Sequence, residues 1–245
     1  MENLYAYTVL DTTDSTNTAL KAEVYAADGP VYKILRAKAQ TGGRGRQGNS
    51  FFSPAGGIYF SFTLPLTGEE KALSLLTLIA GLETREALAP FVPQNIFIKW
   101  PNDLYVGGRK LCGVLTELVK GPAGLTAVVG VGINNTLKKE EIPFELREKI
   151  TSLALENAFV TDVDGLVQTV VRRITARFAA LNAENGAFSA VISRVDALLL
   201  GKGKTVKRTQ NGETLTGVLL GLADNGGLRL QTADGERIVT SGVVE

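Results

Sequence analysis

The sequence contains no histidine. That absence removes imidazole acid–base catalysis, the Ser-His-Asp triad and every histidine metal site at once. The chemistry that survives must use lysine, arginine, carboxylates, backbone amides or a substrate's own groups. Cysteine is nearly absent as well, with Cys112 alone. No intrachain disulfide can form, and a cytoplasmic home is expected. No stretch approaches the ~20 consecutive apolar residues of a membrane span, so no membrane partner is expected. The first residues, MENLYAYTVLDTTDSTN, lack a basic segment followed by an apolar run and do not read as a secretion signal. Neither sign of charge is in excess. A formal net charge of +1 gives no overall field toward DNA or membranes, so any basic site must be local.

What is present has a globular balance, 44% hydrophobic and 21% charged, and a sizeable core can be buried. A length of 245 residues suits one large domain plus a small second one. Residues 4–10 read as a strand, and Asp14 or Ser15 then caps a helix reaching Ala26. Residues 31–39 alternate as a strand. The stretch QTGGRGRQGNSFFSPAGG follows, eighteen residues with six glycines and no periodicity. A loop of that length is functional or disordered. Further strands are expected at 58–64, 95–99 and 125–134, and a hairpin over 103–117 turned by Gly107-Gly108. Helices are expected at 69–89, 141–157, 163–184 and 187–198. From Gly201 onward short β segments alternate with N-G, D-N-G-G and D-G turns, which predicts a five-stranded mini-barrel. The division expected is 1–198 for the large domain and 199–245 for the barrel.

Three segments carry chemistry-bearing residues. Gly43, Gly45 and Gly48 match G-x-G-x-x-G, but that dinucleotide fingerprint must open a helix, and here NSFFSPAGG and a strand follow. No Gly-Lys-Ser/Thr follows either, so it is not a phosphate loop of the Walker type. What remains is a loop presenting Arg44 and Arg46 among glycines, suited to phosphate and carboxylate, or else simply solvated. In IKWPNDLYVGGRKLCGVLTEL (98–118), a tight two-residue hairpin would place Asp103, Tyr105, Lys110 and Cys112 on one face, barring a bulge. There Lys110 can hold a carboxylate, or be a surface lysine beside a turn-capping Asp103. Ser15-Thr16-Asn17 opens a helix, which is a cap and also a place for polar or anionic ligands. Gln40 could offer its amide to a ligand. Cys112 without a histidine reads as a small buried apolar residue, and Trp100 as core.

Four motifs stand in order: DSTN (14–17), QTGGRGRQG (40–48), KWPND…GRKLCG (99–113) and GVGINN (130–135). The ordered set resembles the biotin protein ligase family. The resemblance runs to about residue 185, and GVLLGL…GGLRLQ…SGVVE resembles the family's small C-terminal barrel. It implies an α+β fold, a mixed β-sheet backed by helices and related to class II aminoacyl-tRNA synthetases, followed by an SH3-like β-barrel. It implies biotin and ATP as substrates, Mg²⁺, and a lysine of a biotin carboxyl carrier protein as acceptor. Ser15, Thr16, Asn17, Gln40 and Arg44 would bind the biotin ureido and neighbouring groups. Gly43, Gly45 and Arg46 would belong to the loop closing over the adenylate, and Lys110 would hold the biotin carboxylate and α-phosphate. Gly113 and Leu115 would line the biotin pocket, with Asn134 near the adenine. No metal-ligating residue is implied. Many members carry tryptophan where this chain has Phe51, which weakens any stacking on adenine.

Many regulatory members also carry an N-terminal helix-turn-helix domain. This chain begins on the catalytic motifs, so direct DNA binding is not expected, while a homodimer stays open. The implied catalytic residues are Arg46, Lys110 and Asp103, the last as the group that orients or accepts the proton of the attacking lysine. The alternative on the same fold is a lipoate or octanoate ligase or acyltransferase using Cys112, and a second is a catalytically inactive binding module.

Overall fold

Alternation of small or β-branched apolar residues with polar ones gives most of the first 134 residues an extended habit. In the computed structural model, which describes residues 4–68, 72–183, 188–210 and 212–244, these segments form β1 (Ala6–Thr13), α1 (Thr16–Ala26), β2 (Lys33–Gln40), β3 (Gly57–Pro65), α2 (Leu76–Leu88), β4 (Phe97–Lys99), β5 (Asp103–Val106), β6 (Arg109–Gly121) and β7 (Gly124–Asn134). The strands make one seven-stranded sheet in the order β1-β2-β3-β7-β6-β5-β4. Only β1 and β2 run parallel, so the sheet is mixed as expected.

Both faces of the sheet are covered, and the period of two decides what covers each. On one face Leu35, Val119 and Val128 pack with Leu20 and Val24 of α1. On the other, Ile34, Phe60, Phe62, Val129 and Val131 join α2 and two later helices, α3 (Val163–Ala183) and α4 (Phe188–Ala197), in the main core. α1 covers only part of its face. Beyond its N-terminus the same face carries Gly113, Leu115, Gly130 and Gly132, and that bare end is the floor of a cleft.

The barrel follows as β8 (Thr205–Gln210), β9 (Glu213–Leu222), β10 (Leu228–Thr232), β11 (Gly235–Val239) and β12 (Val243–Val244). They form a five-stranded antiparallel sheet in the order β11-β10-β9-β8-β12. It shares the main core through Val206, Leu219, Leu228 and Leu230. Trp100, buried as expected, also donates its Nε1 proton to the Gly226 carbonyl at 2.9 Å.

Two expectations fail for physical reasons. Residues 141–157 are not a helix but three short 3₁₀ turns, Lys139–Glu141, Phe144–Leu146 and Ala154–Glu156. Pro143 interrupts the helical pattern. The backbone beyond it is engaged elsewhere: Lys110 N donates to Lys149 O and Thr151 N to Lys110 O, while Leu153 N donates to Asn134 O, each at 2.9 Å. Tertiary pairing takes the groups a helix would need.

The hairpin turns at Gly107-Gly108 with positive φ at both, and Val106 pairs with Arg109 and Tyr105 with Lys110. A bulge then shifts the register. Leu104 pairs with Cys112 and Asp103 with Gly113, so Cys112 leaves the face that Asp103 shares with Lys110. The expected helix start at 69–71 and the residues 184, 187 and Asn211 of the expected helix ends and N-G turn lie outside the described residues.

Candidate active site

Helix α1 begins at the cleft because Ser15 caps it, its hydroxyl accepting from Thr18 N. The cap places Thr16 and Asn17 inside, both buried. Thr16 donates its amide to Gln40 Oε1 at 2.9 Å and its hydroxyl to the same oxygen at 3.2 Å. Gln40 Nε2 donates to Ser53 Oγ at 3.0 Å. Ser61 Oγ donates to Asn17 Oδ1 at 2.6 Å and lies 2.7 Å from Thr16 Oγ1. A neutral, interlocked hydrogen-bonding wall results, fixed before any ligand arrives.

The floor needs glycine for reasons of space. A Cβ at Gly130 would stand 2.0 Å from Asn17 Oδ1, and one at Gly132 would stand 2.6 Å from the ring of Phe51. Phe51 therefore lies directly on the sheet backbone, with Tyr59 edge-on at 6.4 Å between centroids. Its ring also receives the Lys110 ammonium at 5.4 Å.

Cations line the rim. Lys110 Nζ pairs with Asp103 Oδ2 at 2.8 Å, while Asp103 Oδ1 is buried and has no partner among the described residues. Arg44 Nη2 lies 3.4 Å from Glu117 Oε1. Burial acts to raise the Glu117 carboxyl, but hydrogen bonds from Lys21 and Asn17 and the charges of Lys21 and Arg44 outweigh it and hold it below its ordinary range. Arg46 stands in partial burial that pulls its guanidinium below the usual value, opposed by the charge of Asp103. Among the described residues the Arg46 side chain forms no ion pair. A guanidinium stays charged under these conditions, so Arg46 is a desolvated cation ready for an anion.

The cleft is lined by Ser15, Thr16, Asn17, Gln40, Arg44, Gly45, Arg46, Phe51, Asp103, Lys110, Gly113 and Leu115. The fold thus brings together nearly every residue that the motifs single out. Gly43 and Asn134 lie outside that lining. A Cβ at Gly43 would stand 2.4 Å from the Phe51 carbonyl, so its part is to let the loop base close. Asn134 is buried and donates to the Thr151 carbonyl at 2.8 Å, tying the 150–153 segment to the end of β7. Sequence reasoning missed Ser61, Glu117, the Trp100–Asn102 corner and the barrel residues Gly242, Val243 and Val244. Glu117 was findable, since it follows Gly113 and Leu115 at the strand period of two. The barrel residues carry no local signal.

Cys112 is fully buried, and burial pushes its thiol well above the usual range. Displaced from the cleft face by the bulge, it has neither the access nor the thiolate character of a nucleophile. Among the described residues, no three acidic or cysteine side chains converge as a metal cluster.

The profile of the biotin/lipoate A/B protein ligase family matches residues 9–134, and that of the biotin protein ligase C-terminal domain matches residues 202–245. The chain is 31% identical over 230 residues to the bifunctional ligase/repressor BirA of Escherichia coli, covering 91% of this chain and 68% of the relative. It is 29% identical over 241 residues to a biotin–[acetyl-CoA-carboxylase] ligase of Mycobacterium tuberculosis, covering 96% of this chain and 87% of the relative. A solved biotin protein ligase from Aquifex aeolicus, in complex with biotin and ATP, superposes with a TM-score of 0.84 at 32% identity, covering 98% of this chain and 97% of that one. The chain spans about two thirds of the length of several bifunctional ligase/repressors that it matches.

Proposed function

The chain belongs to the biotin/lipoate A/B protein ligase family, and we propose that it is a biotin protein ligase that joins biotin to ATP as biotinyl-AMP and passes the biotinyl group to a carrier lysine. The observation that carries this is one cleft lined both by the neutral groups of Ser15, Thr16 and Gln40 and by the cations of Arg44, Arg46 and Lys110. The neutral wall suits an uncharged polar head such as a cyclic urea, and the cations suit a carboxylate meeting a phosphate. The names of the relatives favour biotin over lipoate, and burial of Cys112 argues against an acyl-thioester route.

The chemistry proceeds without histidine. Biotin's carboxylate, already ionised at neutral pH, attacks the α-phosphorus of ATP. The bond to the β-phosphate oxygen breaks and pyrophosphate departs. No base is needed; the difficulty is anion meeting anion. Lys110 and Arg46 neutralise that charge in a partly desolvated site. The residues also fit a Mg²⁺ carried in on the nucleotide phosphates: the cleft offers one carboxylate oxygen without a partner, Asp103 Oδ1, and such an ion takes most of its ligands from phosphate and water. It would supply further charge neutralisation. The mixed anhydride hydrolyses readily, so the 40–57 loop shields it. In the second step the carrier's lysine amine, once it has lost a proton, attacks the anhydride carbonyl and AMP leaves. Asp103 is the residue assigned to orient that amine.

Residues 1–198 form the catalytic domain in this reading, and 199–245 the barrel, which contributes Gly242–Val244 to the cleft wall. Among the described residues no helix is long and apolar enough to cross a membrane, which fits the expected cytoplasmic setting. The reading is tested by incubating the protein with biotin, ATP, Mg²⁺ and an unmodified biotin-carrier domain, then weighing the intact carrier. One biotinyl group is expected, and substituting the acceptor lysine of the carrier abolishes it. A carrier of unchanged mass would refute the transfer.

A further inference from the structure

Glu117 stands on β6 two residues past Leu115, on the strand face that forms the cleft floor, yet it does not line the cleft. Its two oxygens gather three partners, Lys21 and Asn17 from α1 and Arg44 from the glycine loop. Oε1 accepts from Lys21 Nζ at 2.8 Å and faces Arg44 Nη2 at 3.4 Å. Oε2 accepts from Asn17 Nδ2 at 2.9 Å. Arg44 pairs with Ser50 across the base of the glycine loop, and Gly45 N donates to Asn49 O at 2.7 Å. Holding Arg44 therefore holds the small hairpin whose tip bears Arg46.

We infer that Glu117 is a positioning residue for biotin binding, a latch that docks the glycine-arginine loop onto the sheet through Arg44. This rests on the biotin-ligase reading above. The third partner makes the latch reversible. Were Arg44 the only cation at Glu117, its departure would strand a half-buried charge, which is costly. Lys21 and Asn17 remain when the loop lifts, so Glu117 stays satisfied in both positions. The Arg44 side chain is 45% exposed, so its pair with Glu117 is screened and weak enough to open. A weak latch biases the loop toward the ligand-ready position without locking substrate out.

The test compares wild type, E117Q, R44A, the E117Q/R44A double variant and K21M in biotin-dependent pyrophosphate exchange, with KM for biotin, KM for ATP and kcat separated. E117Q is expected to raise the biotin KM about fivefold, the upper end for a partly exposed ion pair. ATP KM and kcat stay within about twofold. In the R44A background the same change adds less than about twofold, because the partner it acts through is already gone. K21M leaves biotin KM within about twofold. Hydrogen exchange of residues 43–50 without ligand should rise in E117Q and not in K21M. Glu117→Asp, which keeps the charge but withdraws it, gives a smaller rise and serves should the glutamine variant fold poorly. An undiminished effect in the R44A background would overturn the latch, as would K21M reproducing E117Q, since Glu117 would then merely hold α1. Absence of biotin-dependent exchange in the wild type would instead overturn the ligase reading, and the latch with it.

Discussion

Lys110→Ala is expected to lower biotin-dependent pyrophosphate exchange by about 100- to 1000-fold, the scale for removing one preorganised donor from a developing charge. The fold should survive. The backbone of Lys110, not its side chain, joins β6 to the 149–151 segment through Lys149 O and Thr151 N. The side chain rests on Phe51 and Asp103 at the cleft rim. Its loss leaves Asp103 with neither oxygen satisfied, a cost of about 1–3 kcal/mol and hence a few degrees in melting temperature. The double variant K110A/D103N should recover most of that stability and none of the exchange. Near-normal exchange by folded K110A would remove Lys110 from the mechanism.

Arg46→Gly is expected to leak its intermediate rather than merely slow. Arg46 lines the main cleft and also a second one shared by Ser74, Thr77, Trp100 and Gly226, so it sits where the loop, the α2 end and the barrel meet. Its neighbour Gln47 holds a left-handed backbone at φ 54°, which constrains the loop tip. Glycine at 46 removes the forked donor and loosens that tip, since glycine loses more freedom on ordering. A charge-assisted contact is worth about 1.5–3 kcal/mol, so affinity for biotinyl-AMP should fall by roughly 10- to 100-fold. Released adenylate should then label lysines of a bystander protein lacking any carrier sequence. Arg44→Ala should chiefly weaken biotin binding. If the Arg46 variant holds its adenylate as wild type does and labels no bystander, the clamp role is wrong.

The cleft was largely legible before the fold because its residues sit in short motifs whose chemistry is local. Ser15 caps a helix, Gly107-Gly108 turns a hairpin, and Gly130 and Gly132 leave room on a strand. Each is decided within a few residues, and twelve of the fourteen residues singled out in the sequence line the cleft. What escaped was decided at a distance. The 141–157 pattern is helical in isolation, but the chain gives its amides and carbonyls to β6 and β7 instead. The bulge that removes Cys112 from the cleft face puts Leu111 and Cys112 both into the core, a packing outcome invisible to a pattern of alternation. The barrel's Gly242–Val244 reaches the cleft only because Trp100 and the shared core seat that sheet against it. Asn134, singled out with its motif, also fastens a loop that no local signal placed beside it.

The most direct test of the central claim is ATP–pyrophosphate exchange by the purified protein with Mg²⁺, run in parallel with biotin, with lipoate and with neither. The account predicts exchange with biotin, and only background with lipoate or without an acid, because the neutral wall of Thr16 and Gln40 offers polar groups to a urea, and a dithiolane ring has no N–H or C=O to meet them. Exchange driven by lipoate, or none with biotin, would contradict it.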